Sequence, residues 1–264
     1  MSVAERDADS EKDGGKKAKK AKSGGGIGET LKVVIQALII ALLFRTFLYH
    51  PFNIPSGSMM PTLLVGDYLF VSKFSYGYSR YSFPVDLSFI KGRVWEGEGP
   101  QRGDIAVFRL PRDPGTDYIK RVIGMPGDRI QMRNGLLYIN DEPVERERVE
   151  DYAGANAFGQ EIEVAQYRET LPNGVSYMTL DLTQNGEKDN TGVYEVPDDH
   201  YFMMGDNRDN SSDSRFLNFV GYVPEENFVG RAEVIFFSVD EETHVWEFWR
   251  WPWSLRYDRL FEGL

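Results

Sequence analysis

One segment limits what this chain can become. From about Ile27 to Tyr49 apolar residues dominate, and Val33 to Phe44 is interrupted only by Gln36 before Arg45 follows. A run of that length is marginal, so a spanning helix, a buried core helix and the core of a signal peptide all compete for it. A cleaved signal peptide should end in small residues, yet Arg45, Thr46, Phe47, Leu48 and Tyr49 come next and no A-x-A pattern appears. Lys32 and Arg45 can snorkel toward opposite headgroup regions and so lengthen the usable span. Residues 1–26 are polar and carry five lysines between Lys16 and Lys22, then Ser23 and three glycines. Such a stretch cannot bury a core and reads as a disordered tail. Its lysines suit a nucleic-acid arm equally well, but their place directly before the apolar run favours a membrane flank. The positive-inside rule then puts the N-terminus in the cytoplasm and residues after about 50 outside. The reading is an uncleaved anchor over residues 27–49.

Charge and composition remove several function classes. The net charge of -11 and a pI near 4.9 argue against a nucleic-acid binder. With no cysteine, disulfides, thiol catalysis and Cys-ligated zinc are excluded. His50, His200 and His244 lack metal-ligand spacing, and each reads as an ordinary surface or core residue. The 264 residues suffice for one large domain or two smaller ones.

Abundant Phe and Tyr among scattered Gly and Pro point to a mainly β chain. Strands are expected at Tyr68 to Phe74, Asp104 to Leu110, Tyr118 to Ile123, Tyr201 to Met204 and Ala232 to Val239. A turn is expected at Pro111 to Gly115. Asn134-Gly135, between Arg129–Met132 and Leu136–Ile139, is a strong hairpin signal. From Asn134 to His200 there are 15 acidic against 4 basic residues, which reads as a solvated, inserted β-rich subdomain at about 135–200. The stretch Val245 to Trp253 holds four of the five tryptophans. An interfacial segment and a packed strand or turn explain it about equally.

Three stretches carry polar groups that chemistry can use. In Pro55-Ser56-Gly57-Ser58-Met59-Met60-Pro61, two prolines fix the backbone around a flexible glycine. Ser58 is a candidate nucleophile there and Ser56 a candidate supporting donor, although alone the heptad reads as a loop. A serine needs a base. His200, beside Asp198 and Asp199, is the strongest histidine, and it is far from Ser58 in sequence. A lysine serves instead if a water-poor site brings its pKa from about 10.4 to about 7, roughly 4 to 5 kcal/mol of bias against the charged form. In Asp117-Tyr118-Ile119-Lys120-Arg121-Val122-Ile123-Gly124, strand period puts Tyr118, Lys120 and Val122 on one face and Arg121 on the other. Taken alone, Lys120 is an edge lysine or half of a salt bridge. The third stretch, Met203 to Arg215, packs loop hydrogen-bonders between arginines. It lacks the residue order of a calcium loop and can brace a lysine with a hydroxyl.

Together these stretches resemble the bacterial type I signal peptidase (leader peptidase) family of membrane-anchored serine proteases with a Ser-Lys dyad. Pro55 to Leu64, Arg102 to Phe108, Tyr118 to Asp128 and Gly205 to Arg215 match its four boxes in order, across roughly residues 50 to 240. The resemblance implies Ser58 as nucleophile and Lys120 as general base. It implies Ser56 as an oxyanion donor, Ser211 as the group orienting the lysine amine, and Asp213 with Arg215 as the brace of the loop. Phe52, Ile54, Met59 and Ile119 match positions that line pockets for small substrate residues. The implied fold is a large, mostly antiparallel β assembly with an apolar surface near the membrane, needing no metal or organic cofactor. The implied partners are signal peptides of exported preproteins, the lipid bilayer and, by proximity, the export machinery, with no nucleic acid. The expected location is the bacterial inner membrane, with a catalytic domain at 50–264 on the far side. Two features depart from the family pattern: one apolar span where several members have two, and an insertion that matches no box. The rivals are another Ser-Lys peptidase, such as the self-cleaving repressor type, and a non-catalytic membrane-anchored binding module. The first would need a DNA-binding domain where this chain has an apolar segment.

Overall fold

The computed structural model describes residues 27–83, 89, 92–155, 161–183, 185–240, 243 and 246–264. The lysine-rich tail and His244 lie outside the described residues. The chain divides between Ile40 and Ala41 into two compact units. The apolar run forms helix α1, Ile27–Phe47. No proline or internal glycine follows Gly28, Glu29 lies in the first turn and Arg45 in the last, and both charges complement the helix dipole. Leu31, Val33, Leu38 and Ile40 are all exposed, so the helix is apolar all round and suits lipid better than water. Gly28–Phe47 is long and apolar enough to cross a membrane, about 30 Å at 1.5 Å per residue.

The second unit is built on an eight-stranded antiparallel sheet. Its main strands are β1 (Tyr49–Asn53), β2 (Asp67–Ser72), β3 (Ile105–Leu110) and β4 (Asp113–Gly124), followed later by His200–Met204 and Phe228–Ser238. Between these last two and β4 come the hairpin β5 (Arg129–Arg133) and β6 (Leu136–Ile139), then β7 (Glu161–Thr170) and β8 (Ser176–Asp181). His200–Met204 is therefore β9 and Phe228–Ser238 is β10. The spatial order is β1-β2-β10-β3-β4-β9, closed by the short strand Val223–Pro224. Period two explains why β3 can be buried on both faces. Ile105 and Val107 join one apolar cluster with Ile54, Met59, Leu63 and Ile119. Ala106, Phe108 and Leu110 join another with Tyr76, Val122 and Phe228.

Asn134 and Gly135 both take positive φ, 51° and 75°, as a two-residue hairpin turn between β5 and β6 requires. Two boundaries differ from expectation. β4 opens at Asp113, inside the expected turn, because Pro114 sits at an exposed strand end where its missing N–H costs nothing. β10 opens at Phe228 rather than Ala232, since Phe228 is already buried against Phe108. Near the C-terminus Trp251 packs on Phe237 at 4.9 Å between ring centroids, while Trp246, Trp249 and Trp253 are exposed.

Candidate active site

Ser58 sits on a single helical turn, Gly57–Met59, that follows Pro55. The turn is anchored below by Met59 and Leu63, both fully buried, and by the Leu63 N–H donating to the Met59 carbonyl at 2.9 Å. A second loop fixes it from the side. The Asn207 backbone N–H donates to the Ser58 carbonyl at 3.2 Å, and the Asn207 amide donates to the Gly57 carbonyl at 3.0 Å. Gly205 lets that loop come so close. A Cβ there would stand 2.5 Å from the Ser58 carbonyl oxygen and 2.2 Å from Ser211 Oγ, so only glycine fits without displacing backbone.

β4 brings Lys120 to the same place, paired in register with Ala106 of β3. Its Nζ lies 2.6 Å from Ser58 Oγ and 2.9 Å from the Ile119 carbonyl oxygen. The Tyr118 ring lies beside it, 5.4 Å from Nζ to the centroid. Lys120 is only 3% exposed. Burial lowers its pKa to about 8, against the opposing pull of the Asp213 and Asp206 carboxylates, while Arg215 adds to the depression. Ser56 Oγ lies 3.4 Å from Ser58 Oγ.

Asp213 and Arg215 are both buried and joined by two hydrogen bonds of 2.8 Å. Burial works to raise the Asp213 pKa, but Arg215 and the Gly205 N–H outweigh it and hold the carboxyl below its ordinary value. Ser211 is buried nearby. Its hydroxyl completes no hydrogen bond of good geometry, yet it stands close enough to Asp213 to help keep that carboxyl charged. Ser211 thus makes no hydrogen bond to Lys120 Nζ in this arrangement. Phe52, Ile54, Met59 and Ile119 gather in one apolar cluster around the Ser58 turn. Ile54 and Met59 are packed inside it, and Phe52 also borders an open cavity. His200 bonds through its ring to the Asp198 carbonyl oxygen at 2.8 Å instead of meeting Ser58. Among the described residues no group of three or more His, Cys, Asp or Glu side chains could hold a metal ion.

Several supporting residues were not separated out by sequence reasoning. Arg121, on the far face of β4, grips Asp206 through bonds of 2.9 and 2.6 Å, and Thr62 donates to Asp206 at 2.6 Å. Arg208 is clamped by Glu169 of β7 at 2.9 and 2.5 Å, and Glu169 also accepts from the Tyr177 hydroxyl of β8 at 2.9 Å. Glu169 has no exposed surface. The acidic stretch is thus more than a solvated elaboration, because one of its carboxylates neutralises an arginine buried under the Ser58 loop. The opposite faces of the alternating pattern in β4 pointed to Arg121; nothing local pointed to Glu169.

A serine on a tight turn beside a desolvated lysine, carried on an antiparallel β fold, is an arrangement that suits a hydrolase of the serine peptidase class. Comparison with known proteins narrows the class. The family described as "Signal peptidase, peptidase S26" matches residues 27–237. The signal peptidase I of Rickettsia typhi is 43% identical over 244 residues, covering 86% of this chain and 90% of the relative. That of Rickettsia prowazekii is 42% identical with the same coverage of both chains. A crystal structure of a signal peptidase I from Enterococcus faecalis V583 aligns with 50% of this chain and 95% of its own at 28% identity, with a TM-score of 0.29. On the family match and the two relatives, this chain belongs to the signal peptidase family, peptidase S26.

Proposed function

We propose that the chain is a membrane-anchored endopeptidase that removes signal peptides from exported preproteins with a Ser58–Lys120 dyad. The observation that carries the reading is the 2.6 Å approach of Lys120 Nζ to Ser58 Oγ in a site that pulls the lysine pKa to about 8. Neutral Lys120 takes the Ser58 proton as Oγ attacks the scissile carbonyl. The Ser58 backbone N–H and the Ser56 hydroxyl donate to the oxyanion. Lys120 then gives the proton to the leaving amine, and the ester left on Ser58 is hydrolysed by a water that Lys120 deprotonates. Gly205, Asn207, Asp213 and Arg215 act by holding the turn and the lysine in register. The apolar cluster of Phe52, Ile54, Met59 and Ile119 selects small substrate side chains beside the cut.

Helix α1 supplies the anchor, with residues 1–26 in the cytoplasm and residues 50–264 outside, at the bacterial inner membrane. The lysines before the apolar run support that orientation. Exposed Trp246, Trp249 and Trp253 suit a surface resting on headgroups. Such an enzyme meets its substrate at the bilayer, where preproteins leave the export machinery. The test is incubation of the detergent-solubilised full chain with a signal-bearing preprotein and mass analysis of the products. Two fragments from one cut after a small residue are expected. An uncut preprotein would favour a binding module that keeps the fold without the reaction.

A further inference from the structure

Lys120 is not the only desolvated lysine. Lys73, directly after β2, is 5% exposed, and its Nζ donates to the Ser82 carbonyl oxygen at 2.5 Å. Among the described residues no carboxylate lies within ion-pair distance of it. It borders a cavity of about 370 Å³ whose wall also carries Arg45, His50, Arg109 and Asp117. Among the described residues of the wall the charges do not balance. Arg45, Lys73 and Arg109 are cations there against the carboxylate of Asp117, which Arg109 already engages at 3.2 Å.

The electrostatics of the wall register that excess. Burial, then Arg45 and Arg109, lower the Lys73 pKa to about 8 against the opposing pull of Asp117. Burial, then Lys73, Arg45 and Arg109, push the His50 pKa down to about 4, so at neutral pH its ring adds no charge. Asp117 itself is raised by burial before the two cations pull it back. Cations that outnumber the carboxylates of a partly desolvated cavity repel one another, and a bound anion would remove that cost.

We propose that this cavity is a binding site for a phosphate group. Two uncompensated positive charges match a phosphate better than a single carboxylate, and guanidinium with ammonium is the donor set phosphate oxygens accept from. The volume admits a phosphate with a small substituent. Arg45 stands in the last turn of α1, the helix suited to a membrane, so a phospholipid headgroup and free phosphate are the two sources to separate.

The test uses the full chain in two arms. In detergent micelles, inorganic phosphate is titrated by calorimetry. In nanodiscs of phosphatidylcholine doped with phosphatidylglycerol, retained lipid is counted by native mass spectrometry. Lys73→Met and Arg45→Gln are run beside the wild type. Arg45 is exposed, so its replacement leaves the core intact, and a melting curve checks the fold of Lys73→Met. The wild type should bind phosphate or retain phosphatidylglycerol, and each variant should bind about tenfold more weakly or worse, as loss of one charge-assisted contact implies. Retention of the lipid identifies the headgroup as the ligand, and phosphate binding alone identifies the free anion. No binding in either arm, or binding unchanged in both folded variants, would overturn the site.

Discussion

Replacing Lys120 with methionine isolates the cost of burying the lysine's charge. Burial takes its pKa from 10.5 to about 8. A base with a lowered folded pKa binds fewer protons when folded than when unfolded, so stability falls as pH drops through the window between the two values. For Lys120 the loss accumulates from about pH 10.5 down to about pH 8 and is constant below that. At about 1.4 kcal/mol per pKa unit the whole penalty is about 3 kcal/mol, of which about 2 to 3 kcal/mol develops between pH 10 and pH 7. Lys120→Met lacks the titrating group, while every other group is common to both proteins. Methionine fills nearly the volume of the lysine stem, and losing the contact to Ser58 shifts the absolute gap more than its pH dependence. Urea unfolding of the detergent-solubilised full chain at pH 10 and pH 7 measures both. The variant should gain about 2 to 3 kcal/mol on the wild type over that interval. Parallel pH dependence of the two proteins would mean that Lys120 titrates as a free lysine, and the dyad argument would lose its physical basis.

Three further outcomes are expected. The kcat/KM for preprotein cleavage should rise with pH through about 8, because only neutral Lys120 accepts the Ser58 proton; a limb near the ordinary histidine value of about 6.5 would point to another base. Ser56→Ala should lower kcat by roughly 10²- to 10³-fold, the usual cost of one oxyanion donor, and an unchanged kcat would reduce Ser56 to a turn residue. Protease added to intact spheroplasts should digest or trim residues after about 50, and full protection would reverse the assigned orientation.

What was legible in the sequence was mostly local. The helix of α1 follows from an unbroken apolar run, and the β5–β6 hairpin from the positive-φ pair Asn134-Gly135. The facing of Lys120 and Arg121 follows from strand period alone. The meeting of Ser58 with Lys120 came from resemblance, because no spacing rule joins residues 62 apart in the chain. Glu169 and Arg208, 39 residues apart, stayed hidden for the same reason, and an acidic stretch gives no sign of which carboxylate is buried. Nothing local singles out Lys73, since its partner Ser82 and the charges of Arg45 and Arg109 are brought in by the fold from elsewhere. Ser211 was expected against the lysine amine. Its hydroxyl stands beside Asp213 and against Gly205, a closeness only the folded loop reveals.

The central claim is that the Ser58 oxygen is the attacking atom. Single-turnover cleavage of a signal-bearing preprotein by Ser58→Ala, compared with wild type after circular dichroism has matched their folds, tests it most directly. The account predicts that the folded variant leaves the preprotein uncut while still binding it. Cleavage at the same bond by folded Ser58→Ala at a rate near wild type would contradict it.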